Sequence, residues 1–266
     1  MDKFGYLRAR RGRPGKDGKD ALDLSKWCPS TVVKSFREDE QCTFYFTSEK
    51  DGILFDKNKR AIGLADRRGK FNAICLQSML RPIGYGDHFV LPLRNSLYKI
   101  TGISSANTSP SIMLVAFTFK VRAPLTSKQE YCIFTNNKGT RSVSINKDSL
   151  NIWGAQTMQD LTYKYRGWNS MIIQYSCIGD DAEQIKKAHC WFILNEKRGF
   201  FRPRYYADEG GNADLFIGGK PSLTNFADIT LGTFEVYLKH WVEEPTDYLI
   251  PQEISNVILN DINRFD

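Results

Sequence analysis

No stretch of this sequence approaches the ~18 consecutive apolar residues that a membrane-spanning helix requires. The N-terminus, MDKFGYLRARRGRPG, holds no apolar core segment and so does not read as a secretory signal. Histidine is scarce: His88, His189 and His240 are the three in 266 residues. Six cysteines (Cys28, Cys42, Cys75, Cys132, Cys177 and Cys190) contain no pair at C-x-x-C spacing. A zinc site is therefore not expected. Cys75, Cys132 and Cys177 lie inside apolar runs and read as free buried thiols. Reduced thiols and synthesis in the cytosol are the matching expectation.

Catalytic spacing is missing as well. Glycan hydrolysis needs two carboxylates roughly 5–10 Å apart across the scissile bond, usually from one strand face. No Glu-x-Asp-x-x-Glu pattern occurs here, and Asp180-Asp181 and Glu243-Glu244 are adjacent loop pairs that point apart. Ser-His-Asp and Cys-His arrangements have no local signature. The composition reads as that of a non-enzyme needing no cofactor.

The net charge of +7 is placed unevenly. Residues 1–20 hold seven Lys/Arg and three Asp, which leaves +3 for the other 246 residues. A duplex-binding protein spreads positive charge over a folded face. A basic tail on a nearly neutral body argues against nucleic acid as the main partner.

Within that tail Gly12, Gly15 and Gly18 recur with period three, with Pro14 and charged residues between them. This is the collagen pattern, in which only glycine fits the triple-helix axis. A flexible basic linker is the other reading. Three triplets gain too little against ordering entropy to trimerise alone. If residues 1–21 form a triple helix, the head must supply the homotrimer.

The body is β-rich: aromatic residues reach 13%, with 17 Phe and 12 Tyr. Residues 22–84 form a small β-rich segment, either separate or part of the head. There Phe44 and Phe46 share a face, and Asp56–Arg60 reads as a hairpin turn. From residue 85 to 266 alternation persists. Met113, Val115, Phe117, Phe119 and Val121 mark one long strand; Met171, Ile173, Tyr175 and Cys177 a second; Cys190, Phe192 and Leu194 a third; Phe234, Val236 and Leu238 a fourth. Turn signals separate them and helical periodicity is nearly absent, which predicts an all-β antiparallel sandwich. One helix is predicted at the end, opened by Pro251, with Ile254, Val257, Ile258 and Ile262 on one stripe. Cys177 and Cys190 bound two adjacent runs and are expected close in space, reduced in the cytosol.

Several segments together resemble the concanavalin A-like jelly roll in its laminin-G-like form, over residues 85–262. They are Ser111–Val121, Gly167–Tyr175, Cys190–Asn195, and Asp214–Gly219 followed by Phe226–Tyr237. Where that family places a glycine after the turn Asn, this chain has Glu196. A collagen-like stub ahead of such a head resembles attachment-fibre proteins of viruses or of Maverick/Polinton-like transposons. The resemblance implies a lectin-like head that recognises a glycan or surface receptor, incorporated into a virion or particle and not inserted in a membrane. The alternatives are a structural particle protein without a ligand site and a glycan hydrolase.

A sugar site needs aromatic faces together with loop amides and carboxylates. The loop from Arg204 to Asp214 has that composition, and Tyr205, Tyr206, Asp208, Asn212 and Asp214 are its candidate ligand residues. A plain polar hairpin with rim-packed tyrosines has the same composition. Its acidic residues also suit calcium, although their spacing matches no dedicated calcium loop.

Overall fold

A computed structural model describes residues 42–77, 83–85, 88–92, 96–101, 112–122, 124–137, 142–147, 149–152, 155–158, 163–164, 166–176, 189–195, 197–201 and 214–239. The glycine stub at Gly12, Gly15 and Gly18, the helix expected over 251–264, and Cys177 lie outside them.

The strands, in chain order, are β1 (Cys42–Thr47), β2 (Ile53–Phe55), β3 (Ala61–Ala65), β4 (Asn72–Gln77), β5 (Ile83–Tyr85), β6 (His88–Pro92), β7 (Leu97–Ile100), β8 (Ile112–Val121) and β9 (Tyr131–Asn136). They continue with β10 (Ser142–Ile145), β11 (Ser149–Ile152), β12 (Ala155–Met158), β13 (Trp168–Ser176), β14 (His189–Leu194), β15 (Lys197–Phe201), β16 (Leu215–Ile217) and β17 (Ile229–Lys239). A three-residue 3-10 turn, Lys50–Gly52, precedes β2. Two antiparallel sheets result. The eight-stranded sheet runs β15-β14-β13-β8-β17-β6-β5, with β1 also on β17; the nine-stranded sheet runs β12-β11-β10-β9-β16-β7-β4-β3-β2. The fold is an all-β antiparallel sandwich, in agreement with the alternation in the sequence. Among the described residues no helix is long and apolar enough to cross a membrane.

The core lies between the inward faces. Phe44 and Phe46 from β1 and Val115, Phe117, Phe119 and Val121 from β8 meet Ile133 and Phe134 from β9 and Leu215 and Ile217 from β16. Phe234 is the hub: its ring lies 6.2 Å from Phe44, 5.9 Å from Phe117 and 5.5 Å from Phe134 across the sandwich. Offset and tilted aromatic pairs at such separations add to simple area burial.

Three features depart from plain alternation. First, the outward residues of the eight-stranded sheet are also buried: Cys42, Tyr45, Leu114, Ala116, Ile172, Ile193 and Tyr237 form a second cluster. Glu235, on that same face, is fully buried and accepts a hydrogen bond from the Tyr237 hydroxyl at 2.8 Å. Second, β17 carries a bulge between Leu231 and Phe234. The backbone groups it frees are used: Thr233 N–H donates to Thr118 Oγ1 at 2.8 Å, and Ser48 N–H donates to the Gly232 carbonyl at 2.7 Å. Third, the strands of Asp214–Gly219 and Phe226–Tyr237 do not pair with each other, although Ala227 N–H donates to the Gly218 carbonyl at 2.9 Å. β16 belongs to the nine-stranded sheet and β17 to the eight-stranded one, so the chain crosses between layers there.

The two sheets are also latched at β1. The turn after β3 places Asp66, which is buried, against the edge of β1 that faces away from β17. Asp66 Oδ1 accepts Tyr45 N–H and Arg68 N–H, each at 2.9 Å, and Oδ2 accepts Lys70 N–H and Phe71 N–H, each at 3.0 Å. Arg67 N–H donates to the Tyr45 carbonyl at 2.8 Å. Turn and carboxylate together hydrogen-bond this edge as a neighbouring strand would.

β13 and β14 form the expected hairpin, but its register sets Cys190 opposite Tyr175 and not opposite Cys177, which lies outside the described residues. In the turn after it, Asn195 itself adopts the left-handed conformation (φ 56°) that a glycine would supply. Its side chain accepts Ser170 N–H and donates to Asn169 Oδ1, both at 3.0 Å.

Candidate functional site

β16 is wedged between β7 and β9, with Phe216 opposite Lys99 on one side and Thr135 on the other. Alternation turns Leu215 and Ile217 inward, so Asp214, Phe216 and Lys99 share the outer face. Asp214 Oδ2 lies 2.7 Å from Lys99 Nζ and accepts a long hydrogen bond from Asn137 Nδ2 at 3.5 Å. Lys99 Nζ stands 5.9 Å above the centre of the Phe216 ring, so its stem covers a ring that is itself buried. Exposed Asn137, half-buried Asp214 and half-buried Lys99 thus gather an amide, a carboxylate and an ammonium at one end of β9.

Of the five candidate ligand residues, Asp214 is the one the structure describes; Tyr205, Tyr206, Asp208 and Asn212 lie outside the described residues. Asp214 is engaged by a cation from the protein itself. Among the described residues no group of three or more His, Cys, Asp or Glu is arranged to hold a metal ion.

A second polar cluster sits at the other end of β9. Glu130 Oε1 accepts from the Ser144 hydroxyl and, at 3.5 Å, from Asn151 Nδ2. Its Oε2 accepts Asn225 Nδ2 at 3.3 Å and faces Lys220 Nζ at 3.6 Å. Ser144 opposes Asn151 on β11 and Cys132 on β9, which puts all three side by side on the outer face. The loop Lys220–Asn225 folds over this row: Asn225 O accepts Cys132 N–H at 2.9 Å. Burial pushes the Cys132 thiol up to about 12. Leu223 and Asn225 are both left-handed (φ 57° and 54°). For Leu223 that costs about 1–2 kcal/mol. Sequence reasoning missed this cluster. The available signal was that Ser144 and Asn151 are the polar alternates beside inward Val143, Ile145, Leu150 and Ile152.

The two carboxylates do not form a hydrolytic pair. Glu130 and Asp214 lie at opposite ends of a six-residue strand, about 20 Å of chain apart. A glycosidase pair spans roughly 5–10 Å. Among the described residues, the Asp214 end offers a carboxylate, an ammonium and an amide for hydrogen bonding.

No protein-family model and no curated protein sequence matches the chain. Solved structures do. A receptor-binding domain superposes with a TM-score of 0.55 at 14% identity, covering 87% of this chain and 53% of that one. The binding domain of botulinum neurotoxin serotype D/C VPI 5993 gives 0.53 at 14% identity, with 87% and 53% covered. A botulinum neurotoxin type C structure, described by a cell entry dependent on two ganglioside molecules, gives 0.51 at 13% identity, with 81% and 51% covered. The likeness is one of fold. This chain spans about half the length of each of these domains. It places the sandwich among architectures consistent with a jelly roll.

Proposed function

We propose that the protein is a non-enzymatic binding module whose lectin-like head recognises a glycan or a surface receptor. The carrying observation is the group at the start of β16: Asp214, Lys99 and Asn137 offer acceptor, cation and amide together on an outer sheet face. A polyol or a sialylated sugar needs such mixed donors and acceptors, fixed by a rigid scaffold. Tyr205, Tyr206, Asp208 and Asn212 precede Asp214 in the chain and complete the proposed site. Neighbours of the same fold support the reading, because one is a receptor-binding domain and another is described by ganglioside-dependent entry.

The head acts as a homotrimer, with Gly12, Gly15 and Gly18 following as a collagen-like stub. Three weak sites on one face would raise overall binding by roughly 10²–10⁴ through avidity. A glycan array carrying sialylated and ganglioside-type sugars tests the ligand class. Binding to a defined glycan set supports it; a blank array with a folded trimer leaves the structural-particle role instead and overturns the lectin reading.

A further inference from the structure

The outer face of β2–β4 breaks the usual rule that aliphatic side chains turn inward. Ile62, Ile74 and Leu76 are 45%, 49% and 53% exposed. They share a face for identifiable reasons. Ala61, Leu64 and Ala73 point into the core, which sends Ile74 and Leu76 outward. A register shift between Leu54 and Phe55 leaves Ile62 as the extra residue of a bulge. Gly63, opposite Ile74, adds no side chain to the face, and a Cβ there would lie 2.5 Å from the Ala73 carbonyl oxygen.

Cations border this surface. Lys57, Lys59 and Arg60 are exposed in the β2–β3 turn. The carboxylate of that turn, Asp56, is committed to the backbone: its Oδ1 accepts Asn58 N–H and Arg60 N–H, each at 2.8 Å. At the other end Lys70 is exposed while the Asp66 carboxylate accepts four backbone N–H groups. Lys99, opposite Ile74, connects the patch to Asp214. Clustered exposed aliphatics mark an interaction surface.

We propose that this face docks peripherally on a membrane surface rich in anionic lipid. Ile62, Ile74 and Leu76 enter the headgroup region, and Lys57, Lys59 and Arg60 lie against lipid phosphates. Aliphatic contact and electrostatic attraction then act together, as in other interfacial anchors. Charge complementarity favours this occupant over a second copy of the chain, which would bring cationic turns to a cationic rim. A fluid surface also needs no shaped cleft. The docking lays the membrane beside the Asp214 end of the same sheet. It does not require the glycan reading, and vesicles without glycolipid test it separately.

The experiment is co-sedimentation of the full chain with vesicles of phosphatidylcholine alone and with about a third phosphatidylserine. The intact protein is expected to bind the anionic vesicles, and less so as salt rises. The double variant Ile74→Ser/Leu76→Ser and the triple variant Lys57→Glu/Lys59→Glu/Arg60→Glu should each weaken partitioning about tenfold or more. Their unfolding midpoints should hold, because these side chains face outward. A variant with Arg8, Arg10, Arg11 and Arg13 changed to Ser controls for the basic tail and should keep its dependence on the patch. The proposal is overturned if both patch variants bind like the parent, if only the tail variant loses binding, or if no anionic vesicle is bound. It is also overturned if the patch variants fall in molar mass by light scattering, since the face would then hold copies of the chain together.

Discussion

Replacing Asp66 with Asn tests the latch between the sheets. The carboxylate accepts four backbone N–H groups, from Tyr45, Arg68, Lys70 and Phe71. An amide keeps one acceptor oxygen for Tyr45 and Arg68 and turns an NH₂ group toward the N–H groups of Lys70 and Phe71. A hydrogen bond to a charged group contributes about 1.5–3 kcal/mol net, and an unsatisfied buried donor costs about 1–3 kcal/mol. Lys70 is exposed, so water replaces part of its loss. The expected destabilisation is about 2–4 kcal/mol, or roughly 5–10 °C in Tm for a domain of this size. Asp66→Ala should cost more, because the Tyr45 N–H on the edge of β1 loses its partner outright. Urea unfolding followed by tryptophan fluorescence, with an unchanged m-value, measures the difference. A loss below about 0.5 kcal/mol for both variants would put them among ordinary surface substitutions and refute the latch.

Phe234→Ala should cost about 3–5 kcal/mol, because it empties a fully buried position at the centre of the aromatic core; thermal unfolding checks it. Burial pushes the Cys42 thiol, like that of Cys132, up to about 12 from 9.0. A thiol pKa raised in the folded state contributes stability that is fully present below about pH 9 and is lost as pH rises toward 12. Native protein should therefore leave both thiols unmodified by iodoacetamide at neutral pH, label them on unfolding, and lose stability above pH 9. Light scattering should give a homotrimer that survives removal of residues 1–21, and a monomer at micromolar concentration would reduce the stub to a linker.

Much of the fold was legible because strand periodicity is a local signal. Phe44 and Phe46, the alternation of β8 and the β13–β14 hairpin could be read directly from residue order. The second apolar cluster could not. Alternation assigns Leu114, Ala116 and Ile172 to the face opposite the core, and only the folded chain reveals that this face is buried too. Glu235 misleads for the same reason, since a charge in an alternating strand reads as solvent-facing. The Asp66 latch joins residues 21 apart in sequence across two sheets, a contact no local pattern encodes. At the site, Asp214 was visible as an acidic residue in a Tyr- and Gly-rich loop. Lys99 was not, because its approach depends on the register between β7 and β16. Glu130 was missed because its partners Ser144, Asn151, Lys220 and Asn225 come from three separate segments.

The proposed glycan or receptor site lies at the end of the nine-stranded sheet where β16 begins. Titration calorimetry of the intact chain with the glycan selected on the array, beside Asp214→Ala and Asn137→Ala, tests it most directly. The expected result is measurable binding by the parent, about tenfold or greater loss in Asp214→Ala, a smaller loss in Asn137→Ala, and Tm values close to the parent's. Undiminished affinity in Asp214→Ala would contradict the account.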